Sequence, residues 1–188
     1  VRYWATRSVQ FGQDGSVSVG SVHERYEREL GNDLGNLVSR TTALIAKYRG
    51  GRVQVAPGLG DPAAFDRLAT EVAQRLDLFD LTGALDELWE FVRALNKFVT
   101  DTKPWELAKD EARAEELDQV LYALVDGLRA VAIALYAYLP RTAPKVLRAL
   151  GQPEDFVWAG VAHGRTVEAE GVEAAQPLFP RVEPAAAA

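Results

Sequence analysis

The chain contains no cysteine and no methionine among its 188 residues. Without cysteine there can be no disulfide and no thiolate metal or redox site. The only two histidines, His23 and His163, stand far apart in the sequence, which argues against a histidine metal cluster. Neither has an evident acid–base partner nearby. Positive charge is also in short supply: 21 Lys and Arg against 27 Asp and Glu leave a net charge of −6. A nonspecific nucleic-acid binder needs a basic field, so DNA is excluded as a general partner, while local recognition of a few bases is not. Long apolar runs are lacking too, because the longest nearly uncharged one, Ala130–Leu139, is too short to span a bilayer. The opening Val1-Arg2-Tyr3-Trp4 is not a basic-then-apolar leader. A cytoplasmic protein without membrane contact is therefore expected. A start in what looks like mid-element, with no methionine anywhere, further suggests a fragment or an excised domain.

Signatures of catalysis are equally absent. No glycine-rich phosphate loop follows a strand, and GxSxG, HExxH and CxxC do not occur. The carboxylates of Glu111, Glu115 and Glu116 read as a solvated helix face. Nothing resembles a complete active site, and no repeat of fixed period is present.

What the chain does have is helical periodicity. Hydrophobic residues at 48% are enough for a sizeable core. Residues 1–18 read as an irregular lead-in in which Tyr3, Trp4 and Val9 can pack, with Phe11-Gly12-Gln13-Asp14-Gly15 as a turn whose glycines supply positive φ. Ser18 is a candidate cap for a helix reaching Leu30, and Gly31-Asn32 marks a break or kink. A helix from about Asp33 to Arg49 follows, with Leu34, Leu37, Val38, Thr41, Leu44, Ile45 and Tyr48 as one apolar stripe, closed by Gly50-Gly51. Residues 50–60 form a loop with a brief extended segment at Val53 and Val55. Asp61-Pro62 starts the next helix, Asp as cap and Pro at its first position, with Phe65, Leu68, Val72 and Leu76 inward.

From Leu81 to Thr100 the stripe Leu85, Leu88, Trp89, Val92, Leu95 and Val99, widened by Phe91 and Phe98, predicts a central helix. Asn96 falls beside that stripe, and a buried amide there calls for a structural contact between helices. Pro104 interrupts the pattern and turns Lys103 away from helical angles. Asp110–Tyr138 is the longest helical pattern, Pro140 stops it, and Thr142-Ala143-Pro144 opens a last short helix closed by Gly151. Beyond it, Phe156, Val157 and Trp158 suit a docked strap, His163–Ala175 reads as loose, and Glu183-Pro184 with the last four alanines as a tail. The sum is an all-α bundle of five or six helices.

Two places on this bundle are candidates for recognition. Asn36 and Arg40 fall opposite the apolar stripe, one turn apart, so an amide and a guanidinium can act on one external partner. The plain alternative is that both only solvate an outer face. Trp105 sits on the corner fixed by Pro104, where its ring can either staple the helix start or offer a face for stacking.

Several stretches, taken together and in order, resemble the C-terminal helical region of methionyl-tRNA synthetases. These are Arg2-Tyr3-Trp4, Phe11-Gly12-Gln13-Asp14-Gly15, Arg25-Tyr26 with Leu30, Asn32-Asp33-Leu34-Gly35-Asn36-Leu37 with Ser39-Arg40, Asn96-Lys97, Pro104-Trp105-Glu106-Leu107-Ala108-Lys109, Leu139-Pro140 with Thr142-Ala143, and Pro177-Leu178-Phe179-Pro180-Arg181. The resemblance covers nearly the whole chain and is weakest between Gly50 and Gln74. It departs from the family pattern at Lys103, where alanine is more usual. It implies a class I synthetase anticodon-binding bundle whose partner is the anticodon loop of methionine tRNA, with Asn36 and Arg40 contacting anticodon bases, Trp105 stacking on one, and Pro104 holding the corner. It also implies a division into residues 1–18 as the end of a connection to an upstream catalytic domain, 19–151 as the bundle, and 152–188 as strap and flexible tail. ATP and methionine belong to that catalytic domain, so no cofactor is expected in this chain, which alone should not charge tRNA. The competing readings are a helical scaffold domain that does not bind RNA and the related bundle of another class I synthetase. The scaffold reading predicts Trp105 packed inward and no aromatic neighbour on the Asn36 face.

Overall fold

The computed structural model describes residues 1–10 and 12–182. The expected tail at residues 183–188, and Phe11 of the expected turn, lie outside the described residues. The lead-in is more ordered than its sequence suggests, because Arg2–Ser8 forms a helix, α1. Seven residues are too few to hold a helix by propensity, so its stability comes from what it docks on. Tyr3 and Trp4 are buried, with the Tyr3 ring 5.2 Å from that of Trp89. The Tyr3 hydroxyl donates to Glu29, and Arg7 pairs with Glu29 and Asp86. Burial, followed by the bond to Glu29, pushes the Tyr3 phenol far above its ordinary pKa. Of the two glycines of the following turn only Gly12 has a positive φ, 80°; Gly15 does not need it.

Helix α2 (Val19–Arg25) begins as expected at Ser18. The Ser18 hydroxyl accepts from the Ser21 amide at 3.1 Å, and the Ser21 hydroxyl accepts from the Ser18 amide at 3.4 Å. At Gly31-Asn32, where a break or kink is expected, the helix is irregular but unbroken. The chain continues through a wide π-helical stretch, Tyr26–Gly35, into α3 (Asn36–Arg49). Widening the turn lets Leu30 and Leu34 share the buried side with Leu37, Val38, Thr41, Leu44 and Ile45. A Cβ on Gly35 would stand 3.0 Å from both the Leu30 carbonyl oxygen and the Phe179 ring, which explains the glycine. Gly50 closes α3 in the left-handed region at φ 58°.

Helix α4 (Pro62–Asp77) has Pro62 in its first turn, but Asp61 does not cap it with its side chain; the carboxylate instead pairs with Arg67 at 3.4 Å in solvent. Helix α5 (Leu81–Thr102) is capped by Asp80, which accepts from the Gly83 amide at 2.9 Å. All six residues of its expected stripe are buried, and Phe91 meets Phe65 of α4 edge-on at 5.1 Å. A short helix, α6 (Pro104–Leu107), and a 3-10 turn (Glu111–Arg113) precede α7 (Ala114–Leu135). The long pattern Asp110–Tyr138 is thus trimmed at both ends. Every residue of α7 from Val120 to Leu135 is buried, so α7, more than α5, is the central helix. Its small residues Ala123, Gly127, Ala130 and Ala134 leave room for neighbours on all sides. Helix α8 (Ala143–Ala149) completes the set, with Gly151 at φ 68°.

Past Gly151 the sequence reading needs its largest correction. The stretch 163–175, expected to be loose, is tied down along its length. The Asp126 carboxylate, fully buried in α7, accepts from the amides of Gly164, Arg165 and Thr166 at 2.6, 3.1 and 3.1 Å, and from the Thr166 hydroxyl at 2.8 Å. Gln152 bonds Val167 through both ends of its side-chain amide. Val53 pairs with Ala169 in an isolated antiparallel bridge, and the Ala175 amide donates to Thr42. Periodicity could not show this, because the anchors are polar groups buried in pairs. Phe156 stacks on Tyr136 at 4.0 Å, while Val157 and Trp158 remain exposed. Among the described residues there is no strand beyond isolated bridges, and no helix is long and apolar enough to cross a membrane.

Candidate nucleic-acid interface

Asn36 is the first residue of α3, and its side chain is exposed. Arg40, one turn later, is only half-exposed. Its long side chain does not project into solvent as helical spacing suggests, but lies back toward α5. There its Nη2 donates to Asn96 Oδ1 at 3.2 Å, while its Nε is buried with no partner among the described residues. An unpaired buried N–H costs about 1–3 kcal/mol, close to the ~1.5–3 kcal/mol that a hydrogen bond to a charged group contributes. The docked position of Arg40 is therefore nearly balanced, and the Asn96 bond is what offsets the cost.

Asn96 is the structural contact expected of it. Its Nδ2 donates to the Asp33 carbonyl at 3.0 Å and to the Val92 carbonyl at 3.1 Å. Since both donors face carbonyls, Oδ1 has to face Arg40. Asp33, in the last turn of the π-helical stretch, has its carboxyl raised above the usual range by burial and by Glu29, with Arg93 and Arg28 opposing.

Pro104 is buried at the start of α6, and Trp105 is half-buried, packed against the edge of the core. Lys103 enters the corner at φ 46°, ψ 62°, the left-handed region that costs a residue other than glycine roughly 1–2 kcal/mol. The neighbouring Glu106 and Lys109 pair with each other in solvent at 2.8 Å. Trp105 is therefore neither fully buried nor free of the core.

Arg40 and Trp105 are linked through one helix. From Asn96, which holds Arg40, α5 runs on to Thr102, about 9 Å of axis at 1.5 Å per residue, and the tryptophan corner follows directly. Arg40 and Asn96 are brought together where α5 meets the π-helical stretch and α3, Asn36 lies one turn before Arg40, and Trp105 stands beyond the end of α5. The sequence reading did not join Asn96 to Arg40. The signal was present in an amide beside an apolar stripe, but its partner lies 56 positions earlier in the chain. Among the described residues no group of three or more His, Asp or Glu side chains is arranged to hold a metal ion.

No protein-family model matches the chain. Individual relatives do. It is 35% identical over 193 residues to the methionine–tRNA ligase of Bacillus subtilis, a match covering 97% of this chain and 29% of that protein. It is 36% identical over 191 residues to the methionine–tRNA ligase of Deinococcus radiodurans, covering 99% of this chain and 28% of that one. Among solved structures, the free-state methionyl-tRNA synthetase of Mycobacterium tuberculosis superposes with a TM-score of 0.88 at 32% identity, covering 97% of this chain and 38% of that one. By class, then, the bundle is that of an aminoacyl-tRNA synthetase. The homologues of the chain are methionyl-tRNA synthetases, and it spans about three-tenths of the length of the curated relatives it matches.

Proposed function

We propose that this chain is the anticodon-recognition module of a methionine–tRNA ligase, acting in the cytoplasm and reading the CAU loop of methionine tRNA. The observation that carries this reading is the pairing of an exposed amide and a half-docked guanidinium, Asn36 and Arg40, with a half-buried tryptophan, Trp105, held on a Pro104 corner. Unstacked loop bases present faces to aromatic rings and edges to amides and guanidinium groups, which is how single-stranded RNA is commonly read. Trp105 supplies the stacking face, Asn36 and Arg40 supply the polar edge, and Pro104 fixes the corner. A net charge of −6 suits a surface that reads bases rather than one that grips phosphates.

On this reading residues 1–18 lead from an upstream catalytic domain that takes ATP and methionine, 19–151 form the recognition bundle, and 152–188 strap it. The chain alone then binds the loop and charges nothing. A scaffold domain without RNA affinity is the competing reading, and the half-buried state of Trp105 fits it less well than full burial would.

Titration of tryptophan fluorescence with a CAU anticodon stem-loop, with a scrambled loop as control, tests the proposal. Trp105→Ala should weaken CAU binding by on the order of 1–3 kcal/mol, and Arg40→Ala should weaken it as well. Equal binding of both loops by the unmodified chain would refute specific readout.

A further inference from the structure

Helix α5 supplies a residue to this site that touches no RNA in the proposed reading and yet sets the geometry of one that does. We propose that Asn96 is the positioning residue of the interface: its side-chain amide holds Arg40 in the half-docked state from which a base edge is read. The inference rests on the reading of Arg40 as RNA-facing.

Three observations carry it. Asn96 spends both N–H groups on backbone carbonyls, those of Asp33 and Val92, at 3.0 and 3.1 Å. Its orientation is thereby fixed from two elements at once, the π-helical stretch that leads into α3 and its own helix. The one remaining polar atom, Oδ1, accepts from Arg40 Nη2 at 3.2 Å. Finally, the Arg40 Nε is buried and unpaired, so the docked guanidinium forgoes a hydrogen bond that it would regain by swinging into water. Without Asn96 nothing among the described residues accepts a hydrogen bond from Arg40. A free arginine side chain samples many rotamers, and each costs entropy to fix on binding. Asn96 pays that cost during folding, leaving the far edge of the guanidinium preset.

The same amide has a second effect on Asn36. Asp33 lies three residues before Asn36, at the point where the wide π turn reverts to the α3 register. Tying the Asp33 carbonyl to α5 holds that transition in place, and with it the rotation of the first turn of α3. Both polar residues of the proposed reader therefore depend on one clamp.

The test is a double-mutant cycle on the full chain, read by stem-loop titration, with proton exchange at Arg40 Nε followed by NMR in the absence of RNA. Asn96→Ala should weaken CAU binding by about fivefold to tenfold, the upper part of the cost of immobilising one arginine side chain on binding. In an Arg40→Ala background the same change should add at most about twofold, because its main effect passes through Arg40. In the free protein, Arg40 Nε exchange should be slow in the unmodified chain and fast in Asn96→Ala. Asn96→Leu keeps the approximate size and removes the acceptor, so Nε exchange should be fast in it too; this variant serves if Asn96→Ala does not fold. Unchanged Nε exchange in Asn96→Ala, or equal losses of affinity with and without Arg40, would overturn the positioning role. Should exchange respond while Arg40→Ala leaves binding untouched, Asn96 still positions Arg40, and it is the RNA reading of Arg40 that fails.

Discussion

Replacing Asp126 should cost this bundle a large share of its stability and release the segment 160–167 first. Its carboxylate is fully buried, as is nearly all of Arg129, with which it pairs at 3.0 Å. It also accepts from three consecutive backbone amides and the Thr166 hydroxyl, while Arg129 donates to the carbonyls of Gly160 and Ala162. Asp126→Ala leaves a buried guanidinium without its counter-charge, a loss of about 3–5 kcal/mol in comparable cases. The orphaned amides add little to this if the strap opens and lets water reach them, so opening is the expected response. Against a total of about 5–15 kcal/mol for a domain, that is a severe loss. Asp126→Asn keeps the shape and one acceptor and should fall between the two. Urea unfolding gives the free-energy change from the midpoint, and amide exchange at residues 164–166 reports the strap. A change below about 1 kcal/mol in Asp126→Ala, or exchange at 164–166 that stays as slow as in the unmodified chain, would refute the view that this carboxylate holds the strap.

Three further outcomes follow from other parts of the fold. Lys103→Gly relieves the left-handed backbone at φ 46° and should stabilise the chain by about 1 kcal/mol in thermal melts, with Trp105 emission unchanged. A Cβ on Gly127 of α7 would lie 2.5 Å from Leu95 Cδ2 on α5, so Gly127→Ala should destabilise by about 1 kcal/mol in urea, overpacking outweighing the gain in helix propensity. At alkaline pH the sign is set by Tyr138, whose phenol is pushed up to about 12 by burial, with nearby Asp80 adding to the rise. A raised folded-state pKa stabilises below the unfolded value near 10, and that stability is lost as pH climbs to about 12. The chain should therefore unfold in that window with phenolate absorbance rising in step, and Tyr138→Phe, which loses only the bond to the Leu81 carbonyl, should remove part of this dependence.

Much of the fold was legible because it rests on repeating apolar spacing. The α5 stripe from Leu85 to Val99 is buried residue for residue, and Ser18, Gly50 and Gly151 mark ends where caps and left-handed glycines belong. What escaped were features with no period. Gly31-Asn32 reads as a break or kink because glycine is a poor helix former, but the demand to bury Leu30 and Leu34 together with Leu37 overrides propensity and draws the chain into a π turn. Arg2–Ser8 is helical through its tertiary anchors Tyr3 and Arg7, which no local window contains. The strap is held by Asp126 and Gln152, single polar residues whose partners lie 15–40 positions away. At the candidate site, spacing proposed Asn36, Arg40 and the Trp105 corner and placed Arg40 outward, because a helical wheel takes no account of a long side chain folding back to a neighbouring helix.

That backward fold bears on how a negatively charged chain could choose its partner. With −6 overall, the chain gains little from long-range attraction to RNA, and what discrimination it has must come from contact. On the proposed reading the contact groups sit on regular elements: Arg40 on α3, locked to Asn96 on α5, and Trp105 at the far end of that same α5 beyond a strained Lys103. Helical rise then fixes their spacing more tightly than a loop would. The Arg40 guanidinium is already partly desolvated, with one N–H buried and unpaired, so part of the cost of taking it from water is met before any ligand arrives. A partner that offers acceptors to its remaining N–H groups recovers that outlay, whereas one that offers none leaves a half-buried charge still less satisfied. Docking Arg40 on Asn96 thus raises the penalty for a wrong base edge as well as the return for a right one, and selectivity is the difference between the two.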